Sequence, residues 1–200
     1  STISHLGLPD QVLAPTVCYH CFEARKNSTI QAGVITSLNK CHRHEVVNVR
    51  SLERLTTYWM RELIAFGSPK DVQMHLDESL SWTTGLLNDW GIWHEVISAS
   101  DPFFADMGSS NRLFQAAFVL KRELKLPVLS GRKIAAASFN SHLDTLVSKF
   151  NVSTDILDEQ FTFHSGCVGW GYERFLYGLF CQLGPDLSKW PSSVKRSLNL

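Results

Sequence analysis

The chain has 200 residues, of which 44% are hydrophobic and 19% charged, enough to bury a sizeable core without covalent staples. Nineteen Lys and Arg balance nineteen Asp and Glu, so there is no overall cationic excess of the kind that drives binding to a phosphate backbone. No window reaches the roughly 18 to 20 apolar residues of a bilayer span, and no charged start leads into an apolar run; the expectation is a cytoplasmic protein with one domain over residues 1–200. Five cysteines, an odd and sparse set, favour metal or thiol chemistry over a disulfide scaffold.

The first chemistry-bearing stretch is TVCYHC, residues 16–21, followed by CHRH at residues 41–44. Cys18, Cys21, Cys41 and His44 have the spacing of a local structural zinc site. Against that, KCHRHEVV (residues 40–47) reads as a strand, which sends Cys41 and His44 to opposite faces and puts Arg43 and Glu45 on the same one. NVRSLE is about the length of a hairpin loop, and RLTTYWMRELIAF (residues 54–66) reads as the returning strand, with Tyr58, Met60 and Glu62 sharing a face. Paired antiparallel, the two strands would present Arg43, Glu45, Tyr58 and Glu62 to one site.

The best-marked helix follows. Ser68 is its N-cap, Pro69 sits where a missing N–H is harmless, and Asp71 completes a capping box. Val72, Leu76, Leu80 and Leu87 recur at helical spacing, and Gly91 can stop it. HEVISAS, LFQAAFVLKRELKLPV and RKIAAASFN read as further strands. HSGCVGWGYERFLYGLFCQLG reads as a strand, a glycine-rich turn at Gly169 and Gly171, and a helix ending at Gly184 with Arg174 in its first turn. A helix N-terminus with an Arg beside it suits a phosphate. Each signal also has an ordinary reading: Cys167 and Cys181 as small buried hydrophobes, Glu62 as a solvated carboxylate, Arg43 and Glu45 as a surface pair. The combination carries more than its parts.

An R-x-E pair, a returning strand with an aromatic and a Glu, and a final G-x-G-x-E-R entering a helix resemble motifs 2 and 3 of class II aminoacyl-tRNA synthetases. VLAPTVCYH, CHRHE, RLTTYWMRELIAFGSP, DPFF, KREL, SFNSH, CVGWGYERFLYGLF and KWP occur in the order seen in amino acid:carrier protein ligases, truncated relatives of the archaeal, zinc-dependent type of seryl-tRNA synthetase. The resemblance runs from about Gly7 to Leu198, and MREL and CVGWGYER are its specific blocks. It implies an α+β fold with an antiparallel sheet flanked by helices. It also places motif 1 and its dimer-forming helix ahead of these residues, so a homodimer is implied where that region is supplied.

The resemblance puts zinc on Cys18, Glu62 and Cys167, leaving Cys21 a bystander and a fourth position open for a substrate amine. It puts Arg43 on the α-phosphate and carboxylate, Arg174 on the γ-phosphate, Tyr58 against adenine and Glu45 beside the adenine amino group or Arg43. Mg²⁺ would bridge the phosphates, with Glu123 as its carboxylate, because KIAAASFN offers alanines where seryl-type enzymes place one. His42 stands where an aromatic is usual. The implied activity is ATP-dependent activation of a small amino acid, glycine or alanine, and transfer to the phosphopantetheine thiol of a carrier protein rather than to tRNA. Two alternatives are an inactive synthetase paralogue serving as a zinc-containing binding module, and a structural zinc domain on Cys18, Cys21, Cys41 and His44.

Overall fold

The alternation expected over residues 54–66 is realised as strand β2 (Thr57–Gly67), which pairs antiparallel with β1 (Gly33–His42) on one side and β6 (His164–Gly171) on the other. Strands β5 (Lys133–Leu143), β4 (Lys121–Pro127) and β3 (Glu95–Ser98) extend the sheet to the order β1-β2-β6-β5-β4-β3, with every pairing antiparallel. The computed structural model describes residues 13–44, 52–99, 120–129, 131–155 and 162–200. Glu45, the DPFF run and the first part of the strand expected over residues 113–128 lie outside them.

Five α-helices accompany the sheet among the described residues: α1 (Cys18–Glu23), α2 (Pro69–Asp89), α3 (Thr145–Lys149), α4 (Tyr172–Leu183) and α5 (Ser192–Leu198). The start of α2 follows its sequence signals. Asp71 N donates to Ser68 Oγ at 3.1 Å, Ser68 N donates to Asp71 Oδ2 at 3.3 Å, and Gly91, at φ 70°, ends the run. Val72, Leu76 and Leu87 are buried; Leu80 is only partly buried, and Thr83 takes a core position with its hydroxyl donating to Ser79 O at 2.7 Å.

Two expectations are corrected. Strand β1 begins at Gly33 and stops at His42, earlier than residues 40–47 suggested, although Arg43 N still donates to Thr56 O at 2.9 Å. Gly169 and Gly171 form no turn: both are strand residues of β6, and the chain passes from Gly171 straight into α4. Beyond the last β2–β6 pair, Met60 with Gly171, the Trp59 N–H donates to both Glu173 carboxylate oxygens at 3.0 Å. A side chain on the first turn of α4 thus takes the place of the missing strand carbonyl.

Register divides the sheet into two working faces. Glu62, Gly169 and Ser138 stand in one cross-strand row and Ile64, Cys167 and Asn140 in the next, all on the same face. Leu63, Ala65, Gly166, Val168, Ala137 and Phe139 look the other way, where Ala65, Val168, Ala137 and Phe139 join the main core with residues of α2, α4 and α5. Close approach explains two glycines there. A Cβ at Gly166 would sit 2.8 Å from Val72 Cγ1 and 2.9 Å from Asn140 O, and one at Gly178 would sit 2.7 Å from Leu126 Cβ. On the first face, α1 and α3 cover one end through Phe22, Leu146 and Val147 packed near Phe66. No helix among the described residues is long and apolar enough to cross a membrane.

These two packings give opposite outcomes for one substitution. Gly178→Ala should destabilise by about 1 to 3 kcal/mol, because an added methyl must displace Leu126. Gly85→Ala, in α2 with nothing within 4 Å of the new methyl, should stabilise by about 0.5 to 1 kcal/mol. Urea unfolding midpoints of the two variants check the contrast.

Candidate metal and nucleotide site

The site is built where α1 lies across β2 and β6. Cys18 opens α1, Cys167 lies on β6, and His142 lies near the end of β5; the two sulfurs and one imidazole nitrogen all fall within 4.8 Å of one another, and all three residues are buried. Glu62, expected as the third ligand, stands on β2 one cross-strand row away from Cys167 and outside that 4.8 Å group, in which His142 takes the third place. Glu62 is only 2% exposed. Thr16 Oγ1 donates to Glu62 Oε1 at 3.0 Å and Val17 N donates to the same oxygen at 3.3 Å, while Oε2 has no hydrogen-bond partner.

Burial raises the Glu62 carboxyl above its usual range, opposed by the Thr16 hydroxyl, the Val17 N–H and then Cys18. The Cys167 thiol is raised well above its ordinary value, first by the hydrogen bond it shares with Cys18 and then by burial, while Asn140 Nδ2 donating to its sulfur at 3.5 Å works the other way. A buried carboxylate with one open oxygen, beside two thiols, is short of a cation. Cysteine sulfur, imidazole nitrogen and carboxylate oxygen are the donors zinc takes, and Cys18, Glu62, His142 and Cys167 are the residues that could hold it. Gly169 keeps the approach open: a Cβ there would stand 3.2 Å from Met60 Sδ and 3.4 Å from Glu62 Cγ.

The residues of the local zinc reading disperse. Cys21 sits in the apolar cluster with Phe22, its thiol raised by burial and hydrogen-bonded to Ser37. Cys41 is buried on β1 with its thiol pushed up to about 12, by burial first and then by the Glu62 charge. His44 is exposed. None of the three joins Cys18 in a metal-sized cluster among the described residues.

Two arginines converge on Tyr58. The Arg43 guanidinium carbon lies 5.5 Å from the Tyr58 ring centroid, and Arg43 Nε donates to Pro15 O at 3.1 Å. Burial pushes the Tyr58 hydroxyl up to about 12, against the charges of both Arg43 and Arg174. Arg174, in the first turn of α4, donates from Nε to Glu53 O at 2.9 Å and from Nη1 to Ala135 O at 3.5 Å. It therefore ties the segment before β2 to β5. The buried Glu53 carboxylate is paired with Arg132 at 2.6 Å. Glu123 is engaged by Lys121 at 3.4 Å and Lys125 at 3.9 Å, and Glu45 lies outside the described residues. Sequence reasoning gave no role to His142, although SFNSH was a recognised block; its proximity to the thiols depends on a three-strand register.

No family model matches the sequence. Curated relatives and solved structures do. The chain is 31% identical, over 98% of its length, to amino acid–[acyl-carrier-protein] ligase 1 of Bradyrhizobium diazoefficiens, and covers 60% of that protein. It is a homologue of this ligase. Type-2 serine–tRNA ligase of Methanopyrus kandleri is 25% identical over 93% of the chain, which covers 37% of that enzyme. A crystal structure of the M. kandleri seryl-tRNA synthetase with an A. aeolicus tRNASec superposes with a TM-score of 0.78, covering 93% of this chain and 37% of that one at 21% identity. The fold is thus that of a class II aminoacyl-tRNA synthetase catalytic domain, and the chain spans about three-fifths of the ligase's length.

The open Glu62 oxygen makes a pH prediction for metal-free protein. Because burial lifts the folded-state value, the folded protein keeps a proton that the unfolded chain releases. The stability is therefore complete below about pH 4.3 and declines as pH rises through the folded value. Glu62→Gln should remove that decline, so chelator-treated variant and parent should diverge as pH rises above the ordinary carboxylate range, with the variant the more stable at the upper end. Urea midpoints measured across that rise check it.

Proposed function

We propose that the protein containing this chain activates a small amino acid with ATP and passes it to the phosphopantetheine thiol of a carrier protein. The observation that carries the reading is the buried cluster of Cys18, His142 and Cys167, with Glu62 one cross-strand row away on the same sheet face as Tyr58, in a chain 31% identical to a carrier-protein ligase. In the first step a carboxylate oxygen of the amino acid attacks the α-phosphorus of ATP, the bond to the β-phosphate oxygen breaks, and pyrophosphate leaves with the electron pair. In the second the thiolate sulfur attacks the acyl carbon of the adenylate, AMP departs, and a thioester remains.

The residues divide this work by position. Cys18, Glu62 and Cys167 would hold zinc, which when bound takes the amino group in its unprotonated form and so orients the carboxylate. Arg43 is assigned to the α-phosphate and Arg174 to the γ-phosphate, two planar donors that match phosphate oxygens and offset charge moving toward pyrophosphate. Tyr58 offers a half-buried ring for adenine, and Glu45 an acceptor for its amino group. Glu123, now paired with Lys121 and Lys125, would hold Mg²⁺, which would supply positive charge to offset that of the phosphates. The main-chain contacts of Arg43 and Arg174 support these roles, since guanidinium groups already held in place lose less freedom on binding.

Exchange of labelled pyrophosphate into ATP, dependent on glycine or alanine, tests the activity. Arg43→Ala should reduce the exchange rate by about a hundredfold to a thousandfold with zinc content unchanged. Arg174→Ala should raise the ATP requirement, and lysine at either position should restore only part of the loss. Parental exchange in both alanine variants would sink the assignment, and no exchange with any amino acid would leave the inactive binding module. Metal content separates the zinc roles: alanine at Cys18, Glu62 or Cys167 should lose most of the zinc, and Cys21→Ala should keep it. Product on a phosphopantetheinylated carrier should be labile to neutral hydroxylamine, and tRNA should stay uncharged.

A further inference from the structure

Three donors on this sheet face are accounted for by the zinc reading, and a fourth is not. His142 is 8% exposed, with a ring nitrogen within 4.8 Å of both the Cys18 and Cys167 sulfurs. Its placement is a backbone feature. The β5–β6 pairing runs Asn140 with Cys167 and Ser141 with Gly166, then shifts to Leu143 with Ser165. His142 is thus the extra residue of a bulge, the device by which strands re-aim a side chain.

Leu143 immediately after it sits at φ 53°, left-handed backbone that a branched side chain adopts only when its surroundings impose it. The ring orientation is set as well. His142 Nδ1 lies 3.2 Å from the hydroxyl of the fully buried Ser165, and the ring stands edge-on to Phe22 at 5.9 Å between centroids. A hydroxyl that accepts from one imidazole nitrogen leaves the lone pair on the other, the arrangement found behind metal-bound histidines.

We propose that His142 is a fourth protein ligand of the zinc, closing a Cys18–Glu62–His142–Cys167 set in the absence of substrate. The inference rests on the zinc reading of this site and adds to it. Four protein ligands fill a tetrahedral ion, so an incoming amine must displace one of them. His142 is the candidate to yield, because it stands in a bulge followed by a left-handed residue, whereas Cys167 lies in regular pairing on both sides. The site would then be closed at rest and opened by its substrate, where the resemblance implied a position already free.

Cobalt(II) in place of zinc reports ligand identity without any need for turnover. In chelator-treated protein, His142→Ala should still bind cobalt but at least about tenfold more weakly, with altered visible absorption. Added imidazole should restore the parental spectrum in that variant, which a packing role would not allow. If His142→Ala keeps the parental affinity and spectrum while Cys18→Ala loses the metal, His142 is no ligand and the zinc reading stands without it. A loss of affinity that imidazole does not restore likewise overturns coordination by His142. Absence of cobalt binding by the parent protein overturns both readings. Should circular dichroism show His142→Ala unfolded, His142→Gln keeps most of the volume and takes its place: weakened cobalt binding with a changed spectrum is expected, and parental binding overturns the proposal.

Discussion

The interaction on which the site depends is an unsatisfied one. Glu62 is a carboxylate almost fully removed from water, with one oxygen held by Thr16 and Val17 and the other without a hydrogen bond. Burying such a group uncompensated costs several kcal/mol, and proteins relieve that cost by protonation or by a nearby cation. Beside it the Cys167 thiol is also held toward its neutral form, first by its hydrogen bond with Cys18 and then by burial. A divalent ion would reverse that preference for both groups at once. That is why the cluster is better understood as one site than as three buried residues.

The sheet makes such a cluster possible by separating two jobs. One face of β2, β6 and β5 is apolar and meets α2, α4 and α5, with Gly166 and Gly178 letting helices and strands approach to contact. Its stability leaves the opposite face free to carry groups that do not contribute to packing. There Gly169 maintains space beside Glu62, and α1 closes one end by placing Cys18 over the strands while Phe22 fills the gap against Phe66 at 5.2 Å. The same helix thus delivers a candidate ligand, Cys18, and helps keep it buried.

Much of this was legible wherever a local rule acted alone. The capping box at Ser68 and Asp71 marked the start of α2, and alternation through residues 54–66 put Tyr58, Met60 and Glu62 on one face. Legibility failed where long-range pairing decided the outcome. Helix α1 is six residues long and too short to display a period, so spacing alone left Cys21 open as a partner of Cys18, and only Cys18 of the two falls in the group with His142 and Cys167. Gly169 and Gly171 have the composition of a turn, yet pairing with β2 keeps Gly169 extended and β6 continues to Gly171. His142 shares the alternating face of Ser138 and Asn140, but its nearness to Cys18 and Cys167 shows only when β5 is aligned on β6 and α1 is laid over both.

The two arginines show how the halves of the site are joined. Arg174 comes from the helix that follows β6 and fastens to Glu53 O and Ala135 O, while Arg43 follows β1 and lies over Tyr58 of β2. Strand β6 therefore connects the candidate chemistry along its own length, with Cys167 in its middle and Arg174 three residues past its end at Gly171. Shifting the register of β6 by one residue would turn Cys167 to the apolar face and Val168 toward the site. The glycines and the Glu173 anchor that hold this register are accordingly as important to the proposed chemistry as the ligands themselves.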